Sequence, residues 1–123
     1  MFQSKLIYIR LITALYASLI IYSSTKTKAP LDITRYFPDY LLHFIEYGIL
    51  GVLLFLSISR NPKESLKRNA AVTIFISFLF GILNEIIQSF VPGREASIKD
   101  IVFNLFGSII FLSALSYFHK NKL

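Results

Sequence analysis

Apolar residues gather in four long runs, Leu6 to Ser23, Leu41 to Ile58, Ala70 to Phe90 and Ile101 to Phe118, with shorter polar stretches between them. A helix needs about 20 mostly apolar residues to cross the hydrocarbon of a bilayer, and each run approaches that length. The pattern predicts an all-α fold, an integral membrane bundle of four transmembrane helices forming a single domain over residues 1–123. A cleaved signal peptide is the competing reading of the first run, because Lys5 and Arg10 stand at its start. Arg10 interrupts that run, however, and no small-x-small cleavage pattern precedes the polar stretch Ser23 to Lys28. The run is therefore read as a retained helix whose Arg10 snorkels to the interface.

The connections carry recognisable punctuation. Asn61-Pro62-Lys63-Glu64 offers a cap residue, a proline at the first helical position and a glutamate three residues after the cap, which starts the third helix before the apolar run begins. Pro92-Gly93 suits the central pair of a type II turn, where proline presets φ and glycine supplies a positive one. Ser97-Ile98-Lys99-Asp100 reads as a capping box opening the fourth helix.

Composition agrees with the pattern: 54% hydrophobic residues is too many for a water-soluble chain of this size. Cysteine is absent, so a metal would need His, Asp or Glu; neither a metal site nor a cofactor is assigned. The net charge of +6 does not point to nucleic acid, because basic residues in a membrane protein collect in cytoplasmic loops. Membrane lipids are the expected partners, and oligomerisation is left open. Placing the N-terminus inside puts eight cations (Lys5, Arg10, Arg60, Lys63, Lys67, Arg68, Lys120, Lys122) in the cytoplasm and five (Lys26, Lys28, Arg35, Arg94, Lys99) outside. Both termini are accordingly expected in the cytoplasm.

A charge at the centre of a membrane helix costs about 2.5 to 3.5 kcal/mol on insertion scales, so the placement of polar residues is informative. His43 and Glu46 lie near the start of the second helix, Asn84, Glu85 and Gln88 near the end of the third, and Asp100 and Asn104 at the start of the fourth. With alternating helix directions, all of these fall at the outer end. Glu85 stands about fifteen residues into its run, or about 22 Å along at ~1.5 Å per residue, which is an interfacial depth. His43 and Glu46, Glu85 and Gln88, and Asp100 and Asn104 are each separated by three or four residues and share a helix face. Gly51, Gly81 and Gly107 follow deeper on those faces, where small residues let helices approach closely. The reading is three helices packed through glycine-bearing faces, opening outward into a polar cup with Arg94 at its rim. Polarity confined to the outer end offers no continuous relay across the membrane, which ranks a transporter last among the functions considered. The remaining tyrosines and phenylalanines are assigned by default to the interface and to lipid.

His43-Phe44-Ile45-Glu46-Tyr47, then Asn84-Glu85-Ile86-Ile87-Gln88-Ser89-Phe90-Val91-Pro92-Gly93-Arg94, then Asp100-Ile101-Val102-Phe103-Asn104-Leu105-Phe106-Gly107 together resemble the VanZ-like family in order and spacing. Ser23-Ser24 resembles the family's serine after the first helix, so the resemblance covers nearly the whole chain. The chain departs from the family pattern at Asp39-Tyr40, where a lysine is common, and at Asn84, where an aspartate is common. The resemblance implies a bacterial cytoplasmic-membrane protein of the cell envelope, from a family named for a component associated with resistance to teicoplanin-type glycopeptide antibiotics.

Two functions of different class follow for the cup. In the first, it recognises a lipid or a lipid-linked envelope precursor, with Arg94 on phosphate and Gln88, Asp100 and Asn104 orienting the headgroup. In the second, it is a membrane-embedded acid/base or metal-dependent enzyme acting on such a substrate, with His43, Glu46 and Glu85 as the catalytic candidates. His-x-x-Glu with Glu85 and Asp100 could supply nitrogen and oxygen ligands, although the same residue types also make ordinary buried networks. Asp100 has the capping box as its structural alternative, and Gln88 and Asn104 have interhelical hydrogen bonds worth about 0.6 kcal/mol each.

Overall fold

The computed structural model describes residues 2–26, 38–59, 66–94 and 96–121. They form four helices, α1 (Phe2–Ser24), α2 (Asp39–Ile58), α3 (Leu66–Ser89) and α4 (Ile98–Asn121), each containing a stretch long and apolar enough to span a membrane. The described residues are all-helical apart from short connections, and the chain is a multi-pass membrane protein. The helices extend beyond the apolar runs at several ends, α4 by three residues on each side. Hydropathy marks where side chains turn apolar, whereas backbone hydrogen bonding continues through the polar interface. The cap at Asn61 to Glu64 lies outside the described residues.

The bundle is polar inside and apolar outside. The buried residues of α3 are Asn69, Thr73, Ser77, Gly81, Asn84, Glu85 and Gln88, spaced by ones, threes and fours along one face. Val72, Phe75, Ile76, Leu79, Leu83 and Ile86 point outward. In lipid this is the stable arrangement, because an outward polar group finds no water to bond while an outward Leu or Phe costs nothing. The row corrects the expectation that polarity is confined to one end, since Asn69, Thr73 and Ser77 carry it down the helix. These residues are small and neutral, which is why a search for ionisable groups passes over them. Ser77 shares a 2.6 Å hydrogen bond with Ser108, whose hydroxyl also donates to the Tyr47 carbonyl at 3.1 Å.

The closest packing joins α2 to α4, which lie parallel with their N-termini at the same end. Tyr40 packs on Phe103, Phe44 meets Gly107 and Gly48 meets Phe111, each pair 63 residues apart in sequence. At Gly107 a Cβ would fall on the Phe44 carbonyl oxygen, and at Gly48 it would stand 2.5 Å from the Phe111 ring. At Gly51 it would be 3.2 Å from the Ser108 backbone. Glycine at these positions sets the interaxial distance. Gly81 opposes the Asn104 amide, so all three glycines expected at helix contacts are found there, and Gly48 joins them.

The first helix packs on α2 in antiparallel fashion. Thr13 Oγ1 lies 2.7 Å from Ser57 Oγ, Arg10 Nε donates to the Ser57 carbonyl at 3.1 Å, and Tyr16 Oη donates to the Glu46 carbonyl at 2.9 Å. Arg10 thus has a protein acceptor rather than a purely interfacial location. Tyr47 is fully buried and, with Ile20 and Leu50, forms the small apolar core, contrary to its default assignment to the interface or lipid.

Substituting Gly107→Ala should destabilise the folded bundle by about 1 to 3 kcal/mol or more, because the added methyl meets a backbone carbonyl that cannot rotate away. Gly81→Ala should cost less, because its nearest neighbour is a side-chain amide 3.1 Å away. Reversible unfolding in mixed micelles measures both, and equal effects would argue against the close seam.

Candidate functional site

Three helix ends meet at one end of the bundle: the N-termini of α2 and α4 and the C-terminus of α3. His43 lies in the second turn of α2, Glu85 one turn before the end of α3, and Asp100 in the first turn of α4. Because α2 and α4 are parallel and close, His43 and Asp100 project at the same level, with Nε2 3.6 Å from Oδ2 and both side chains 12% exposed. Glu85 is 3% exposed, and its Oε2 accepts the Ser97 backbone amide at 3.0 Å. One ligand-type atom from each of His43, Glu85 and Asp100 lies within 4.8 Å of the other two.

The connection that positions Glu85 and Asp100 is a tight turn. The Arg94 amide donates to the Val91 carbonyl at 3.1 Å across Pro92-Gly93, and Gly93 has φ +82°, as the second central position of a type II turn requires. The capping box expected from Ser97 to Asp100 takes a different form. The Ser97 amide is bonded to Glu85 of the preceding helix, while Asp100 turns toward His43. Local sequence offers a glutamate-like partner three residues on, but the packing of α3 against α4 supplies a carboxylate that competes for the amide.

Arg94 departs from its expected place at the rim. Its Nη2 donates to the Ser23 carbonyl at 2.7 Å and its Nε to the Lys26 carbonyl at 2.9 Å, closing the C-terminal end of α1. The last carbonyls of a helix lack intrahelical partners and carry partial negative charge, so a guanidinium is well suited to them. From there its charge acts on Glu46 and Glu85. Its suggested partner Glu95 lies outside the described residues.

The other expected site residues divide into two groups. Glu46 is partly buried one turn deeper than His43 and outside the His43, Glu85 and Asp100 cluster. Gln88 and Asn104 are buried at 4% and 2% exposure. Asn104 lies between Gly81 and the seam, and neither atom of its amide has a hydrogen-bond partner among the described residues. Sequence reasoning did not include two contributors, the Ser97 backbone amide and the Ser23 and Lys26 carbonyls that hold Arg94. Both depend on backbone positions that no side-chain pattern records.

Arg94→Ala should release the end of α1. Charge-assisted hydrogen bonds contribute about 1.5 to 3 kcal/mol each when well formed, so amide exchange at Ser23 to Lys26 should accelerate about tenfold or more by mass spectrometry. Unchanged exchange there would mean that the guanidinium does not hold this helix end in solution.

No curated protein and no solved structure matches the chain significantly. The VanZ/LLP1 family model matches residues 4–119, a span that includes all three helix ends of the cluster and the α1 end clasped by Arg94. The chain belongs to the VanZ/LLP1 family.

Proposed function

We propose that this end of the bundle recognises the polar headgroup of a lipid or lipid-linked cell-envelope precursor at the outer face of a bacterial cytoplasmic membrane. The observation that carries the reading is the convergence of His43, Glu85 and Asp100 at one interface of a bundle whose exterior is apolar. Ionisable groups at such depth are costly and are retained where they act on something. A groove of about 490 Å³ between α1 and α3, lined by Ala17, Ser18, Ile21, Tyr22, Thr25 and Phe80, runs toward the same end and is of a character to take an acyl chain.

The balance of donors and acceptors changes which headgroup suits the site. Arg94 directs two of its donors to the Ser23 and Lys26 carbonyls, and the cluster offers two carboxylates. Hydroxyls and amines are therefore favoured over a bare phosphate. The cation count supports cytoplasmic termini, and in that orientation the cluster lies on the outer side. The family's association with teicoplanin-type glycopeptides makes lowered susceptibility to those antibiotics the expected phenotype of expression.

A second reading is an acid/base enzyme on the same class of lipid, favoured specifically by the 3.6 Å approach of His43 to Asp100 with Glu85 alongside. A histidine oriented by a carboxylate is suited to moving a proton near neutral pH.

Native mass spectrometry of the protein with a panel of envelope lipids tests the recognition reading. Wild type should retain a selective lipid, and Glu85→Gln, which can still accept the Ser97 amide, should weaken it at least tenfold with helicity unchanged. Equal retention by both would remove the cluster from recognition, and turnover of the retained lipid would select the enzyme reading. Orientation is checked independently, because the chain has no cysteine to give background. In intact spheroplasts an impermeant maleimide should label Ala96→Cys and spare Gln3→Cys; the reverse pattern would invert the topology.

A further inference from the structure

We infer that His43, Glu85 and Asp100 bind one divalent transition-metal ion of the zinc class, an inference that rests on reading this end of the bundle as the functional site. Each residue comes from a different helix, and one nitrogen or oxygen atom from each lies within 4.8 Å of the others. Ligands on metal bonds of about 2.0 to 2.2 Å stand roughly 3 to 4.4 Å apart. Small side-chain rotations therefore close the set around an ion. Glu46, the carboxylate one turn after His43 on α2, does not belong to this group.

Three further observations favour a cation. Glu85 is 3% exposed, and its Oε1 is buried without a hydrogen-bond partner among the described residues, while Oε2 is already bonded to the Ser97 amide. That leaves one oxygen for a ligand and gives the carboxylate a backbone contact that fixes its orientation, as outer-shell partners do at metal sites. Glu85 and Asp100 also act on each other as like charges in a poorly solvated position. Arg94, whose charge acts on Glu85, has two donors bound to the Ser23 and Lys26 carbonyls, so it contributes field without bonding to the pair. A divalent ion would neutralise both carboxylates where a proton could neutralise only one.

The donor set narrows the ion. One imidazole nitrogen with two carboxylate oxygens suits Zn²⁺, Mn²⁺, Fe²⁺ or Co²⁺ better than Mg²⁺ or Ca²⁺, which favour oxygen alone, and the absence of cysteine disfavours thiophilic ions. Three protein ligands leave at least one coordination position. It would serve a hydroxyl oxygen of the headgroup, giving an acceptor-rich site a direct means of holding it.

The test uses chelator-stripped protein in nanodiscs, titrated with Co²⁺ by visible absorption and with Zn²⁺ by calorimetry. Wild type should bind one ion per chain with new d–d bands. His43→Ala, Glu85→Gln and Asp100→Asn should each weaken binding at least 30-fold, with helicity retained, while Glu46→Gln stays within threefold of wild type. Wild-type affinity no tighter than that of the three variants overturns the site, as does a loss in Glu46→Gln equal to that in Glu85→Gln. Native mass spectrometry with and without Zn²⁺ separates this inference from the headgroup reading. Lipid retained by protein that binds no Co²⁺ overturns the metal alone, whereas Co²⁺ bound by protein that retains no lipid sustains the metal and overturns headgroup recognition.

Discussion

The parallel contact of α2 with α4 is the constraint on which the rest of this bundle depends. The two helices belong to different helix pairs and are joined through α3, yet Gly107 brings the α4 backbone against the Phe44 carbonyl. Between helices in lipid the hydrophobic effect contributes little, so association rests on close packing and interhelical hydrogen bonds. The closest packing lies at this seam, and hydrogen bonds run from it into α3. The Ser108 hydroxyl reaches the Tyr47 carbonyl only because the two axes are close, and Ser77 extends the same chain of bonds into α3. At the N-terminal end of the seam, the close approach sets His43 against Asp100. A side chain at Gly107 would separate the helices at a position seven residues from Asp100 and disturb the site without touching it.

The turn between α3 and α4 is held from both sides. Glu85 binds the Ser97 amide on the α4 side, and Arg94 binds the end of α1 on the other. Pro92 and Gly93 restrict the chain between these anchors, with the positive φ falling where only a glycine carries little cost. Charged residues that first suggest chemistry therefore also fix the backbone around it. Such dual use is physically natural at a membrane interface, where helix ends expose unpaired carbonyls and amides while competing water is scarce.

Four helices and their order were legible because an unbroken apolar run of membrane-spanning length is rarely anything but a membrane helix. The gathering of His43, Glu85 and Asp100 was legible for a related reason: alternating helix direction places those three positions at one level. Which of the polar residues touch was not. Glu46 satisfies the same spacing argument as Asp100, but periodicity places a residue on a face without fixing the rotation of that face about the helix axis. The parallel seam settles that rotation. Arg94 shows a second limit, since its acceptors are backbone carbonyls at the end of α1 and just beyond it, some seventy residues earlier, and a carbonyl has no signature in sequence. The polar row along α3 shows a third. Asn69, Thr73 and Ser77 recur every four residues and were readable as a stripe, but in a membrane helix the buried face is found by looking for small and polar positions rather than apolar ones.

The charge layout of the site constrains what it can hold. Two carboxylates and an imidazole converge on one side, and the guanidinium that offsets them is turned toward α1. Had Arg94 faced the cluster, it would have saturated the carboxylates in an ordinary buried ion pair and left little reason for a ligand to enter. Tied to the Ser23 and Lys26 carbonyls, it lowers the cost of keeping carboxylates near the interface while leaving Glu85 Oε1 without a hydrogen-bond partner among the described residues. The site therefore combines tolerance of negative charge with unfilled acceptor capacity. Positive charge or hydrogen-bond donors would fill that capacity, whether carried by an ion, an amine or the hydroxyls of a headgroup.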